Sequence, residues 1–187
     1  MKLSPVIATL RARCGLFEGR VGGAGQFKNL PQIGKLPLPA AYVLPANDEA
    51  GEQKSQTDYW QDLREGFSVV VVLDNTRDER GQAATFDAVH DVRAELWRAL
   101  LGWSPEQNSG PITYLGGELL ELDRGRIYYQ YDFEVVTEID INDTRQQEDL
   151  DALPEFETLA IDVDFIDPGN GPDKKIEAHT RIDLTQE

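Results

Sequence analysis

The sequence predicts an α+β protein in which a mainly antiparallel β-sheet packs against two α-helices and a C-terminal β-hairpin extends the chain. Apolar residues recur at helical spacing in two segments, 4–14 and 83–101. β-branched or alternating runs, which are typical of strands, occupy four others: 40–46, 59–73, 112–122 and 126–139. Two more alternating runs near the C-terminus flank a Gly- and Pro-rich turn, which indicates the hairpin.

Both helices have recognisable ends. The first is predicted to begin with Ser4 as its N-cap and Pro5 at its first position, and to stop at Gly15. The second begins near Ala83 and stops at Gly102, since glycine favours the left-handed conformation that ends many helices. Its apolar residues form one face: Phe86, Val89, Val92, Leu96, Trp97, Leu100 and Leu101.

The strands differ in how they are expected to be buried. Residues 67–73 are too uniformly apolar for a strand with one face in solvent, so this strand lies at the centre of the sheet. Gly66, just before them, indicates a bulge or bend. The strand at 126–139 follows a hairpin turn at 123–125 and has one polar face. Its core face carries Ile127, Tyr129, Tyr131, Phe133 and Val135.

The connections are rich in Gly, Pro and charge. Residues 19–39 are too broken for any regular element beyond a short strand. The strand at 40–46 must keep Pro45 at its end or at a sheet edge. A polar loop from Asn47 to Gln56 follows without one large apolar side chain. We therefore expect this loop to be mobile in the free protein.

The chain is predicted to form an α+β domain over residues 1–138, followed by an acidic linker and a β-hairpin extension over 139–187. Residues 140–154 are almost wholly polar. Alternating runs from Leu159 to Phe165 and from Ile176 to Leu184 then pair across a turn at 167–172. The composition therefore changes where the second part begins.

The chain is strongly acidic, with 34 Asp and Glu against 18 Lys and Arg and a net charge of −16. A protein that grips DNA needs clustered basic residues, and the sequence has no such cluster. The charge suggests a surface that keeps away from nucleic acid, anionic lipid and its own copies, or one that serves solubility alone. Without an apolar stretch of about 20 residues, no membrane span is expected, and the protein is expected in the cytoplasm.

Few residues suggest chemistry. Cys14 is the only cysteine, so an intrachain disulfide is excluded, and a small core residue is expected there. A phosphate site at Gly19–Gly25 would need a strand before the glycines and a helix start after them. The predicted order instead places a helix before them and prolines after, which favours a plain loop. His90 and His179 are isolated, on the second helix and the last strand.

Acidic residues are equally uninformative about catalysis or metal binding. Asp140, Asn142, Thr144 and Asp151 resemble the start and end of a calcium loop, but Arg145 stands where the turn demands glycine. With 34 acids, close carboxylate pairs arise by chance, and no nucleophile elbow is present. We therefore predict no enzymatic activity, no catalytic residues, no cofactor and no metal site.

The aromatic residues are more informative. Trp60, Trp97 and Trp103 lie at or near predicted element ends, and Tyr128, Tyr129 and Tyr131 share one strand. Such residues often anchor interfaces, although core packing is the simpler explanation for Trp97 and the two odd-numbered tyrosines.

The order of these elements resembles that of tail terminator (tail completion) proteins of long-tailed, lambda-like bacteriophages. The resemblance covers residues 1–138 and includes the helix end Leu101-Gly102-Trp103-Ser104-Pro105. It also includes the segment Pro111–Leu120 and the strand Arg126–Val136.

This resemblance implies a structural virion protein of the tail-neck region, assembled in the host cytoplasm. Such a subunit forms a homo-hexameric ring on the last layer of the tail tube protein, stops tube polymerisation, and presents a surface for the head-completion or neck protein. DNA passes through its lumen without specific binding, and the family has no catalytic residues. The alternatives are another neck or tail tube protein and, from another class, a small acidic enzyme.

The predicted contact residues for a neighbouring subunit or the tube are Asn47, Asp48, Glu49, Trp60, Trp103 and Tyr128. The charge agrees with a pore for DNA, because six copies at −16 each carry −96 and repel the duplex. The same charge restrains free polymerisation.

Overall fold

A computed structural model of the chain describes residues 1–29, 37–75, 84–122, 125–164, 174 and 176–184. The chain divides into two compact units, Met1–Asp143 and Thr144–Glu187. The predicted α+β class is confirmed, with a five-stranded sheet in the first unit and a two-stranded sheet in the second. The predicted organisation, 1–138 and 139–187, stays a prediction, although Ile139 pairs with Gln61 inside the larger sheet.

The first unit combines three helices with five strands among its described residues. They are α1 (Ser4–Arg13), β1 (Val21–Gly23), α2 (Ala24–Lys28), β2 (Ala40–Ala50), β3 (Gln61–Asp74), α3 (Ala84–Leu100), β4 (Thr113–Leu122) and β5 (Arg126–Ile139). Single 3-10 turns occupy Gly15–Phe17 and Ile141–Asp143. The strand order is β1-β2-β3-β5-β4, and every neighbouring pair is antiparallel except β1 and β2.

The main core lies between one face of this sheet and the helices α1 and α3. Its fully buried side chains come from both layers: Val6, Leu10, Leu96, Leu100, Phe67, Val69, Val71, Ile127, Tyr131, Phe133 and Val135. The Phe67 and Phe133 rings stack with their centroids 5.4 Å apart. The Tyr131 hydroxyl donates a hydrogen bond of 2.6 Å to the Val89 carbonyl, so the sheet is also tied to α3.

Strand β3 is central, as predicted, and its apolar run is buried on both faces. Val69 and Val71 belong to the main core, whereas Val72 joins a small second cluster with Ala40 and Tyr42 on the opposite face. The alternating face predicted for β5 is also confirmed, because its odd-numbered residues pack into the main core.

The helix ends differ from the predictions in detail. The N-cap of α1 is Leu3, and no side chain caps this helix, so Ser4 as N-cap was wrong. Gly102 follows α3 with φ +76°, as expected for a glycine that ends a helix. Leu101 was predicted on the core face but is 39% exposed, because α3 ends one residue earlier. Residue 83 and the Phe86 side chain lie outside what the structure describes.

The Gly- and Pro-rich segment contains more regular structure than predicted. β1 is the expected short strand, but α2 follows it directly. The Gln26 side chain accepts a hydrogen bond of 3.3 Å from the backbone N–H of Gly23, at the start of this helix. Residues 30–36 lie outside the described part of the chain.

Strand β2 is longer than predicted, which corrects the loop expected from Asn47. Residues 47–50 belong to β2, and Asp48 pairs with Glu65 and Glu49 with Arg64. Ala46 and Asn47 together face the single residue Gly66, so the bulge predicted near Gly66 lies on the partner strand. Pro45 is tolerated because β1 pairs only with Ala41–Val43, so no described strand borders Pro45 on that side.

The second unit is a short helix and a hairpin. Its elements are α4 (Arg145–Asp151), β6 (Thr158–Val163) and β7 (Ala178–Asp183). The helix was not predicted; Thr144 caps it by accepting a hydrogen bond of 3.4 Å from the Gln147 N–H. The predicted pairing of the last two strands is confirmed. The turns at 123–124 and 167–172 are outside the described residues.

Candidate interaction surfaces

The described residues contain no group of three or more His, Cys, Asp or Glu that could hold a metal ion. His90 is exposed on α3, and His179 on β7 pairs with Asp162 across the hairpin. Asp140 accepts a hydrogen bond of 2.7 Å from the Asn142 N–H within a 3-10 turn. The residues that resembled a calcium loop therefore shape a turn and, through Thr144, a helix start.

Cys14 lies in the main core between α1 and α3. Burial, and then the nearby charge of Glu95, raise the pKa of the Cys14 thiol to about 11. A thiol that stays protonated at neutral pH is a poor nucleophile. The prediction of a small core residue at this position agrees with its complete burial.

The most prominent surface feature is the β2–β3 arm, which we define as residues 45–63. Its β2 side is exposed from Pro45 to Ala50, so three of the predicted contact residues, Asn47, Asp48 and Glu49, lie in solvent. Strand β3 carries the arm because β5 pairs with it along its whole length, up to Gln61. Asp48 and Glu49 therefore stand on paired strands, while Asn47 lies in the bulge and Trp60 just before β3.

The tip of the arm is closed by hydrogen bonds between its two sides. The Lys54 N–H donates to the Trp60 carbonyl at 2.8 Å, and the Gln53 amide donates to the Asp58 carbonyl at 2.8 Å. Trp60 is 44% exposed, and the Lys54 ammonium lies 4.7 Å from the centroid of its ring. The indole therefore presents an aromatic surface to solvent beside a cation that partly covers it.

A hollow of about 330 Å³ lies on the face of the sheet opposite the main core, at the base of the arm. In it, Asp132 accepts hydrogen bonds from Ser68 at 2.6 Å and from Gln130 at 2.8 Å. Arg64 lies 3.6 Å from Glu134. The acids outnumber the bases along this lining, since Glu49, Asp132 and Glu134 face only one arginine. The hollow is therefore polar and acidic, and it does not favour an anion.

The structure does not bring all six predicted contact residues together. Tyr128 is half-buried and packs against the small cluster of Ala40, Tyr42 and Val72. Tyr128 pairs with Val72, whereas Glu49 pairs with Arg64, eight residues away on β3. At about 3.3 Å per residue, Tyr128 and Glu49 are separated by about 26 Å along the strand.

Trp103 lies elsewhere, beside what we call the arginine hollow. This hollow, of about 340 Å³, is lined by Thr9, Arg13, Arg98, Ala99, Leu101, Gly102 and Trp103. Neither arginine forms an ion pair with any described residue, and the lining contains no acid. Trp103 is half-buried and packs on the main core. The hollow is therefore both basic and partly apolar.

Two apolar surfaces were missed by the sequence analysis. The first is β4, which lies at the edge of the larger sheet. It has register shifts around Leu115 and Leu120. Its leucines are 44–59% exposed: Leu115, Leu119, Leu120 and Leu122.

The second surface, the apolar ribbon, is one face of the hairpin in the second unit. The pairs Leu159–Ile182 and Val163–Ala178 fix its register. Five large aliphatic side chains on this face are 37–45% exposed: Leu159, Ile161, Val163, Ile182 and Leu184. The opposite face is polar, with Asp162 paired to His179. The alternation predicted these strands, but alternation cannot show whether a second layer covers the apolar face.

No helix among the described residues combines the length and apolar character that crossing a membrane requires. No curated protein matches the chain. A family model described as phage tail terminator protein matches residues 1–144. This match ends one residue beyond Asp143, where the first unit ends.

Proposed function

Because the chain belongs to the phage tail terminator family, we propose that it is the subunit of a closed ring that caps the tail tube. Family membership makes the protein a structural component of the phage tail, and so of the virion. The finer proposal is a homo-hexamer that sits on the last layer of tube protein, stops its polymerisation and receives the head-completion protein. The observation that carries it is the family match over the whole first unit.

The sheet edges support a ring. One edge is β4 with its exposed leucines, and the other is β1 together with the outer part of β2, since β1 pairs with β2 only from Ala41 to Val43. Two different edges favour head-to-tail contacts, in which a patch on one copy meets a different patch on the next. Such contacts give a closed ring when the rotation between copies closes, and an open filament when it does not.

The charge supports a pore for DNA. Six copies carry −96 in total, and the hollow at the base of the arm has more acids than bases. A wall of this kind does not retain phosphates, so the duplex can pass without specific binding. The arm, with Asn47, Asp48, Glu49 and Trp60, is our proposed contact with the tube or a neighbour. Trp103 and Tyr128 are proposed contacts on separate surfaces.

Negative-stain microscopy of the purified protein, alone and mixed with tail tubes, tests the proposal. We expect closed rings, and tubes that carry one ring at an end and no longer elongate when tube protein is added. Fibres of the protein itself would instead identify a tube subunit. A strict monomer that ignores tubes, or a protein that turns over a substrate, would refute the proposed function.

A further inference from the structure

The apolar ribbon needs a covering surface. A two-stranded hairpin is marginally stable in water unless its apolar face packs against something. The five aliphatic side chains of the ribbon keep 37–45% of their surface exposed. They occupy alternate positions along the two paired strands, so they share one face. This is the arrangement of an interface that lacks its partner.

Charge limits what the partner can be. Residues 144–187 contain twelve Asp and Glu against four Lys and Arg, a net charge of −8. Half of the total charge of −16 therefore lies in this part of the chain. One acid, Glu157, belongs to the ribbon face by alternation, and its carbonyl accepts a hydrogen bond of 2.7 Å from the Leu184 N–H. An acidic partner surface, including a second copy of the same hairpin, would be repelled.

The arginine hollow has the complementary chemistry. Arg13 and Arg98 end their helices without an ion pair to any described residue, and Leu101 beside them is 39% exposed. The hollow that contains Arg11 and Arg20 differs, because these arginines already donate to the carbonyls of Val21 and Pro39. The hollow at the base of the arm is acidic. Among the three hollows, the arginine hollow alone offers apolar area together with uncommitted positive charge.

We propose that the apolar ribbon of one copy docks into the arginine hollow of a neighbouring copy. The inference rests on the proposed self-assembly, because it needs a neighbour. Apolar contacts supply most of the binding, while Arg13 and Arg98 select the site by attracting the acidic hairpin. The ribbon and the hollow are different patches, so each copy can give one contact and receive one, which suits a closed ring. The extension beyond residue 144 of one copy then binds the neighbouring copy and so links the two subunits.

Crosslinking between two singly substituted full-length variants tests this contact. One variant carries Leu101→Cys in the hollow and the other carries Ile182→Cys in the ribbon. Native Cys14 is fully buried, so it does not compete for the crosslinker. When the two variants are mixed and treated with a short bismaleimide, we expect a crosslinked dimer of the two as the dominant product. A control that replaces Ile182→Cys by Ala160→Cys, on the polar face of β6, should give little product.

Each other result overturns the inference. Dimers linked from Ile182→Cys to Ile182→Cys would show that two hairpins face each other. A crosslinked monomer of the double variant, without dimers in the mixture, would show that the ribbon covers its own chain. Rings that form in the mixture without the expected dimer would refute the docking and leave the proposed function standing. Unsubstituted protein that forms no rings, alone or with tubes, would refute the proposed function itself.

A second pair of variants measures the contribution to assembly. Ile161→Asp places a charge on the ribbon, and Ala160→Asp places the same charge on the opposite face, where Ala160 pairs with Arg181. We expect Ile161→Asp to raise the concentration needed for ring formation at least about tenfold, since a desolvated apolar contact is lost. Ala160→Asp should leave it unchanged. Equal effects of the two substitutions would show that the ribbon has no special role.

Discussion

The β-bulge at the base of the arm allows a matched pair of glycine substitutions. A Cβ added at Gly66 would lie 2.9 Å from the Asn47 carbonyl oxygen and 3.3 Å from the Ala46 Cβ. That carbonyl belongs to the backbone of a paired strand, so it cannot move without disturbing β2. A Cβ added at Gly116, on β4, has no atom within 4 Å. Neither glycine has a positive φ angle, so alanine is compatible with both backbones.

The two substitutions should change stability in opposite directions. Each reduces the freedom of the unfolded chain, which stabilises a protein by about 0.4–1 kcal/mol. Gly66→Ala also overpacks the bulge, at a cost of about 1–3 kcal/mol. We therefore expect Gly116→Ala to raise the free energy of unfolding by about 0.5 kcal/mol and Gly66→Ala to lower it by about 1–2 kcal/mol. The difference between the variants measures the close contact alone.

Urea unfolding followed by tryptophan fluorescence is the appropriate assay. All three tryptophans, Trp60, Trp97 and Trp103, lie in the first unit, so the emission reports the unit that contains both glycines. The protein concentration must stay below that of assembly, because association adds to the apparent stability. If the two variants unfold at the same urea concentration, the Asn47 carbonyl does not restrict position 66 and the reasoning is wrong.

Four further predictions concern the core, the charge and the arm. Because the pKa of Cys14 is raised to about 11, folding favours its protonated form, so this contribution to stability is complete below pH 9 and is lost between pH 9 and 11. Urea titrations should show a smaller loss over this interval in Cys14→Ala. Tyr131→Phe removes the hydrogen bond to Val89 and should lower the free energy of unfolding by about 1–2 kcal/mol, measured in the same way. Ring formation should increase with salt, because at 0.15 M screening already limits charge interactions to about 8 Å, and sedimentation at several salt concentrations measures this. Trypsin should cut after Lys54 in the free protein and more slowly in the ring, as gel analysis of timed digests would show.

Each of these predictions has a clear contrary result. An equal alkaline loss in Cys14→Ala would mean that folding does not raise the pKa of the Cys14 thiol. A Tyr131→Phe variant as stable as the parent would show that the hydrogen bond from the Tyr131 hydroxyl to Val89 is no more favourable than the hydrogen bond to water that it replaces on folding. A ring population that falls with salt would show that attractive charge pairs, and not apolar contacts, hold the subunits together. If the free protein resists trypsin at Lys54 and the ring is no better protected, the arm does not become ordered on assembly.

The sequence was sufficient for elements that carry their own periodicity. Strand β5 alternates over its whole length, and α3 repeats at helical spacing, so both were predicted nearly to their ends. The helices α2 and α4 were missed because they have only five and seven residues and bury no side chain. The outer part of β2 was missed because Pro45, Asn47 and Asp48 are poor strand formers. Pairing with β3 overrides this local preference.

The surfaces could be predicted only in part. Aromatic residues drew attention to the arm through Trp60 and to the arginine hollow through Trp103. The exposed leucines of β4 and the apolar ribbon lie on predicted strands, but strand patterns do not show which apolar side chains remain exposed, and the structure leaves these 37–59% exposed. Arg13 and Arg98 line the same hollow because α1 packs against α3, and no local sequence pattern shows this packing.

The extra residue opposite Gly66 changes which side of the arm the even-numbered residues of β2 occupy. Before the bulge, the even-numbered residues of β2 share with Ser68 and Val70 the face of the sheet opposite the main core; after it, Glu49 takes that side and Asp48 the other. Deleting Asn47 would remove the bulge but keep Asp48 opposite Glu65 and Glu49 opposite Arg64, so each acid would stay on its own side. The bulge therefore accommodates one extra residue without changing the charges that either side of the arm presents.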